Sequence, residues 1–311
     1  MEKDSLENES LSINLAGLRL ANPTMLASGI LGYSSETFRS IAKSGAAAIV
    51  TKSIGLKPRT GYKNPTVVQA SYGLVNAIGL PNPGINDYAE EIHEAKAVLK
   101  IPIIVSVYGY SAEEYAKVAS KAANEGADAI ELNVSCPHVR ETGSEIGQNP
   151  KVLAEVVKKV KASVDKPVFV KLSPNVTSIV EIAKAAAEAG ADALTAINTV
   201  RAMAIEIETA MPVLSNRIGG LSGPAIKPIA LRCVYEIYES VKLPIIGCGG
   251  IENWQDAVEF ILAGASATQI GTAVATKGTD VFKAVANGIG AYLKRKGFKS
   301  VEEIVGLSHH K

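Results

Sequence analysis

Apolar positions along this chain fall into two kinds of run that alternate. Stretches such as Ser111–Glu125 and Ser178–Ala189 repeat their apolar residues at helical spacing, with charged side chains between them. Between the helical stretches lie short, nearly continuous apolar runs, the pattern of parallel strands buried on both faces. Two joints punctuate the alternation. One is Gly45-Ala-Ala-Ala-Ile49, repeated as Gly126-Ala-Asp-Ala-Ile130, Gly190-Ala-Asp-Ala-Leu194 and Gly264-Ala-Ser-Ala-Thr268. Its glycine can take the left-handed conformation that ends a helix, and a β-prone run follows each time. The other is Ile101-Pro102-Ile-Ile, repeated as Lys166-Pro167-Val-Phe and Leu243-Pro244-Ile-Ile. Proline is tolerated at the first residue of a strand, where its missing N–H costs no ladder bond.

Read from Thr24 onward, these signals predict eight strands, near residues 24, 48, 103, 129, 168, 194, 245 and 268, with helices between them. That succession predicts an α/β chain folded as a (β/α)8 TIM barrel. An open doubly wound sheet is the competing architecture, but no GxGxxG follows the first strand. Residues 11–23 (LSINLAGLRLANP) predict a small N-terminal hairpin closing the barrel bottom. Segments 54–87 and 200–223 are too long for ordinary barrel loops; following strands two and six, they are expected over the C-terminal mouth. Residues 1–10 are expected to be a disordered tail and 11–311 a single barrel domain. The terminal Ser308-His309-His310-Lys311 reads as a solvated tail and not as a metal site.

Composition narrows the setting. A net charge of +1 offers no electrostatic case for a nucleic-acid surface. The three cysteines, Cys136, Cys233 and Cys248, have no CxxC spacing, which argues against a disulfide framework or a zinc site and for a reducing cytosol. The N-terminal MEKDSLENES has neither a basic region nor an apolar one, and no apolar run approaches the ~20 residues that span a bilayer. A cytoplasmic protein without membrane contact is expected.

Polar residues at the C-terminal ends of barrel strands face the active site. Here those ends carry Ser28, Lys52-Ser53, Ser106, Asn133-Val-Ser135-Cys136, Lys171, Asn198-Thr199, Gly249-Gly250 and Gly271-Thr272. The bare amides after strands seven and eight predict a phosphate cradle, against the plainer reading that the glycines only turn the chain. Lys52 and Lys171 end apolar strands. Either they snorkel to solvent, or each implies a nearby anion: a substrate carboxylate for one, and charge on the N1/O2 edge of a reduced flavin for the other. Asn76, Asn133 and Asn198 offer amides to a planar heterocycle. Cys136 is a candidate general base, with His138 second; Cys233 lies in a helical stretch and is expected in the core.

Asn133-Val-Ser-Cys-Pro, Asn76-Ala-Ile-Gly-Leu-Pro-Asn-Pro-Gly84, Gly219-Gly-Leu-Ser-Gly-Pro-Ala-Ile-Lys-Pro228, Asn198-Thr199 and Gly249-Gly-Ile251 together resemble the dihydroorotate dehydrogenase family. The similarity runs from about Leu11 to about Leu307. A cysteine at the base position is similar to the soluble class 1 enzymes, and Met203-Ala-Ile-Glu-Ile-Glu-Thr209 with the GGLSGPAIKP run resembles the NAD-linked class 1B. The resemblance implies oxidation of dihydroorotate to orotate in pyrimidine biosynthesis, with one FMN per chain as hydride acceptor. The implied FMN site is Ser28, Lys52, Ser53, Asn133, Lys171, Ile197, Gly223, Gly249, Gly250, Gly271 and Thr272. Substrate would touch Lys52, Asn76, Ala77, Ile78, Gly79, Leu80, Asn133, Asn198 and Thr199, and Cys136 would take the C5 proton. It further implies a homodimer joined in a heterotetramer to a subunit carrying FAD and a [2Fe–2S] cluster, since this chain has neither four suitably spaced cysteines nor a dinucleotide fingerprint. A fumarate-linked class 1A enzyme and the flavin subunit of dihydropyrimidine dehydrogenase are the alternatives. Two positions depart from the family pattern: Ser106 stands where an asparagine is usual, and Cys248 where an aliphatic residue or methionine is usual.

Overall fold

A computed structural model describes residues 9–135 and 146–310. Eight parallel strands close into a barrel: β3 (Thr24–Leu26), β4 (Ala48–Val50), β7 (Ile103–Val107), β8 (Ala129–Asn133), β9 (Val168–Leu172), β10 (Ala193–Ala196), β15 (Ile245–Cys248) and β16 (Ala267–Ile270). They neighbour one another in that order, and β16 returns to β3. Each lies at one of the eight predicted positions, so the barrel reading holds. The helices begin where their caps dictate: Ser111 and Ser178 accept from the backbone N–H groups of Glu114 and Glu181, three residues on.

The repeated joints are the stitching of the barrel's N-terminal end. Gly45, Gly126, Gly190 and Gly264 all have positive φ, between +97° and +116°. The second residue after each donates its N–H to the first residue of the preceding strand: Ala47 to Thr24, Asp128 to Ile103, Asp192 to Val168 and Ser266 to Ile245. The strand-opening prolines supply the reciprocal carbonyls. Pro102, Pro167 and Pro244 accept from Ile49, Ile130 and Leu194, and Pro23 accepts from Thr268. Where the joint carries an aspartate the stitch is doubled. Asp128 accepts from Ile103 N at 2.7 Å and from Lys96 Nζ, while Asp192 accepts from Val168 N at 2.7 Å and from Lys161 Nζ at 2.7 Å. Backbone donors at buried strand starts are thereby satisfied, as burial requires.

The predicted hairpin is β1 (Ile13–Leu15) with β2 (Leu18–Leu20), directly before β3; Leu15 and Leu20 are fully buried in the main core. The two long insertions fold together over the opposite end. The first contributes β5 (Val67–Ala70) and β6 (Gly73–Asn76), the second β11 (Val200–Ala202) and β14 (Gly219–Ser222). They form one antiparallel sheet in the order β11-β14-β6-β5, and β12 (Ile205–Glu206) pairs with β13 (Met211–Pro212) in a separate exposed ribbon. Cross-pairing of the insertions makes one lid of two segments more than a hundred residues apart in sequence.

One expectation fails at the C-terminus. Ser308 donates to the Leu262 carbonyl at 2.7 Å, and the His309 ring stacks on Tyr235 with centroids 3.8 Å apart. The Gly264 joint exposes the Ala263 carbonyl 3.0 Å from His309 Nε2, so a polar end finds both an acceptor and aromatic surface to cover. Glu9 and Ser10 enter a helical turn, and Ser10 accepts from Val301 N. Among the described residues no helix is long and apolar enough to cross a membrane.

Candidate active site

The C-terminal ends of the strands open into a cavity of about 1000 Å³ roofed by the insertion sheet. Its base is a continuous hydrogen-bonded network. The Asn198 amide donates to Asn133 Oδ1 at 3.2 Å, and Asn133 Nδ2 donates to Ser53 Oγ at 2.9 Å. Ser53 Oγ in turn lies 2.9 Å from Ser106 Oγ and 3.4 Å from Ser28 Oγ. Each asparagine amide carries two N–H groups and spends one here, leaving the other for a planar ligand. Ser106 is fully buried behind Ser53 and does not line the cavity, so it positions a lining hydroxyl and makes no ligand contact of its own.

Both strand-end lysines are buried: Lys52 is 7% and Lys171 5% exposed, so neither snorkels. Their surroundings differ. Lys171 Nζ donates to Gln269 Oε1 at 2.9 Å and lies 3.9 Å from Glu131 Oε1. Glu131 is fully buried and also accepts from Thr195 Oγ1 (3.0 Å) and Gln269 Nε2 (2.7 Å). Burial pushes the Lys171 ammonium down; the Glu131 carboxylate opposes that shift, and the Cys248 sulfur would do so only as a thiolate. Burial also pushes the Cys248 thiol up, so at neutral pH it is a thiol, and the ion pair of Lys171 is with Glu131. Lys52 instead lies 4.7 Å from the centre of the Tyr33 ring, and none of the ion pairs among the described residues involves it. One buried cation therefore has its counter-charge inside the protein, and the other has no carboxylate partner among the described residues and lines the cavity.

The glycines after the last two strands suit a phosphate. Gly249 and Gly250 have φ of +132° and +75°. A Cβ on Gly249 would stand 2.8 Å from Ala230 Cβ, and one on Gly250 2.7 Å from the Gly223 carbonyl oxygen. No side chain is tolerated there, and bare backbone borders the cavity together with Gly271 and Thr272. Ser135 Oγ, also on the cavity wall, is buried with no partner among the described residues.

A family model described as dihydroorotate dehydrogenase matches residues 10–293. The chain belongs to the dihydroorotate dehydrogenase family. Among its relatives, the protein of Pyrococcus abyssi named dihydroorotate dehydrogenase B (NAD(+)), catalytic subunit, is 54% identical over 298 residues, 96% of this chain and 99% of the relative. Proteins of the same name from Thermococcus kodakarensis and Methanothermobacter thermautotrophicus are 53% and 50% identical, each across 96% of this chain and 98% of their own length.

Against that family pattern, every described residue expected to touch cofactor or substrate lines this one cavity, from Ser28 just after the first barrel strand to Thr272 after the last. Cys136 and His138 lie outside the described residues. Cys248 faces the cavity beside Lys171, while Cys233 is buried in the helix Lys227–Ser240 as expected. The sequence reading missed Glu131, Thr195 and Gln269, which are buried beneath the mouth, and Arg59 in the lid. Arg59 Nε donates to the Gly79 carbonyl at 2.6 Å and its guanidinium to Tyr110 Oη at 2.9 Å, fixing the wall formed by residues 76–80. Asn82 holds the same loop from behind, accepting from Gly55 N and Gly84 N and donating to the Leu80 carbonyl. Asn82 belongs to the NAIGLPNPG run, so its position was visible in the sequence although its task was not.

Proposed function

We propose that this chain is the catalytic subunit of an NAD-linked dihydroorotate dehydrogenase, binding FMN and dihydroorotate together in the cavity at the barrel mouth. Bound FMN supplies the acceptor for the hydride that leaves C6 of dihydroorotate. The protein's own groups do the rest. Cys136 takes the C5 proton as general base, while Asn76, Asn133, Asn198 and Thr199 hold the pyrimidine ring through its carbonyl and N–H groups. Residues 77–80 form the wall behind it.

The observation that carries this reading is the contrast between the two lysines. A buried ammonium facing a cavity, with no carboxylate partner among the described residues, suits an anionic substrate, which assigns the substrate carboxylate to Lys52. Lys171, already matched by Glu131, is assigned to the cofactor edge, where reduction adds negative charge. Ser28, Ser53, Ile197 and Gly223 complete the flavin contacts, and Gly249, Gly250, Gly271 and Thr272 take its phosphate. The relatives are named catalytic subunits, which supports transfer of electrons to NAD through a second polypeptide. That subunit carries FAD and a [2Fe–2S] cluster; three cysteines in this chain cannot supply four thiolates. The assembly is a homodimer of this chain joined by two such subunits.

Anaerobic addition of dihydroorotate to the purified yellow protein tests the assignment. Bleaching of the flavin absorbance with dihydroorotate and not with dihydrouracil is expected; the reverse selectivity would refute it.

A further inference from the structure

The Glu131–Gln269–Lys171 arrangement is built inside the barrel, on three different strands. Gln269 on β16 is 1% exposed and uses both ends of its amide: Nε2 donates to Glu131 Oε2 and Oε1 accepts from Lys171 Nζ. Thr195 on β10 holds the same Glu131 oxygen from the other side. Glu131 Oε1 is left with no hydrogen-bond partner among the described residues and faces Lys171 at 3.9 Å. A carboxylate with one oxygen doubly bonded and the other aimed at a cation is oriented, not merely buried. The amide bridge has one polarity only. Its N–H end is turned to the carboxylate, so its oxygen must face a donor, and a neutral lysine amine would be a weaker donor there than an ammonium.

We propose that Glu131, acting through Gln269, is the positioning residue that fixes Lys171 against the cavity and keeps it an ammonium through the catalytic cycle. The groups facing Lys171 are the Cys248 thiol, the Glu131 carboxylate and the Gln269 amide; Glu131 is the one among them that forms an ion pair with it. Without it, a buried amine facing a neutral oxidised flavin would lose its proton and regain it when reduction makes the cofactor edge anionic. Glu131 thus separates the proton balance of the site from the hydride step. This inference rests on the functional reading above for the identity of the cofactor, but not for the charge of Lys171.

Two measurements on the full chain test it in Glu131→Gln. In protein carrying 15N at lysine Nζ, with the Lys171 signal assigned by its loss in Lys171→Met, the titration midpoint of Lys171 falls by about one pH unit or more relative to the parent. An unchanged midpoint overturns the proposal, whether or not flavin is bound. In flavin-loaded Glu131→Gln, at pH values between its lowered Lys171 midpoint and the parent's, each two-electron reduction takes up one further proton, so the midpoint potential changes by about 30 mV more per pH unit than in the parent; an unchanged slope in that window also overturns it. Protein that binds no flavin, or flavin that dihydroorotate does not reduce, refutes the functional reading and leaves the titration to judge Glu131. If Glu131→Gln does not fold, the Glu131→Gln/Lys171→Met double variant, which removes both charges, is expected to be more stable than either single variant. A double variant no better than the worse single one overturns the pairing.

Discussion

Asp192→Ala removes one of the doubled stitches at the foot of the barrel without touching the cavity. The Asp192 carboxylate accepts from the backbone N–H of Val168, a fully buried strand start, at 2.7 Å. Stranding a buried donor of that kind costs about 1–3 kcal/mol. The same carboxylate pairs with Lys161 Nζ, but these side chains are 31% and 33% exposed, so solvent screening keeps that loss below about 1 kcal/mol. A destabilisation of about 1–4 kcal/mol is therefore expected, large against a typical total of about 5–15 kcal/mol. Asp192→Asn keeps an acceptor for Val168 N and should recover most of it. Asp128→Ala, which breaks the equivalent bond to Ile103 N, should cost a similar amount. Lys171 lies three residues beyond Val168 on β9, about 10 Å along the strand, so flavin content and the rate of reduction by dihydroorotate should stay at parent levels. Urea unfolding followed by circular dichroism reads the first quantity, and anaerobic stopped-flow absorbance the second. A loss below about 0.5 kcal/mol for Asp192→Ala, or an asparagine variant as unstable as the alanine one, would show that the stitch does not hold the strand as argued.

Three further outcomes follow from the cavity. Cys136→Ala should slow anaerobic flavin reduction by about 10²–10⁴-fold with orotate affinity nearly intact, and parent reduction should rise with pH and level off near or below the free-thiol value of about 8.5; an unchanged rate and pH profile would move the base elsewhere, His138 first. Lys52→Ala should weaken orotate binding measured by the flavin spectral shift, because it removes the buried cation that no carboxylate among the described residues matches; unchanged affinity with full activity would exclude Lys52 from the carboxylate site. Gly250→Ala should yield folded protein depleted of flavin, since the added Cβ would approach the Gly223 carbonyl at 2.7 Å on a backbone with φ +75°; a full flavin complement by absorbance would rule out the glycine cradle.

Local chemistry wrote much of this protein directly into its sequence. Glycine alone takes the positive φ that ends the helices before Ala47, Asp128, Asp192 and Ser266, and proline opens strands without an unmet donor, so the joints repeat where the fold repeats. Strand count, strand positions and the face bearing the site followed from those repeats, because each is decided within a few residues. The polar strand ends were legible for the same reason, standing out against apolar runs. The tertiary structure alone decided what meets across the barrel. Glu131 sits inside an apolar run, in a strand buried on both faces; such a run lacks the alternation that would tell inward from outward side chains. Its partners Lys171, Thr195 and Gln269 come from three other strands, Gln269 lying 138 residues away in sequence. The pairing of β6 with β14, which turns two insertions into one roof, and the docking of His309 on Tyr235 are likewise long-range contacts. No local preference encodes them: each depends on which surfaces chain closure brings together, and closure is a property of all eight strands at once.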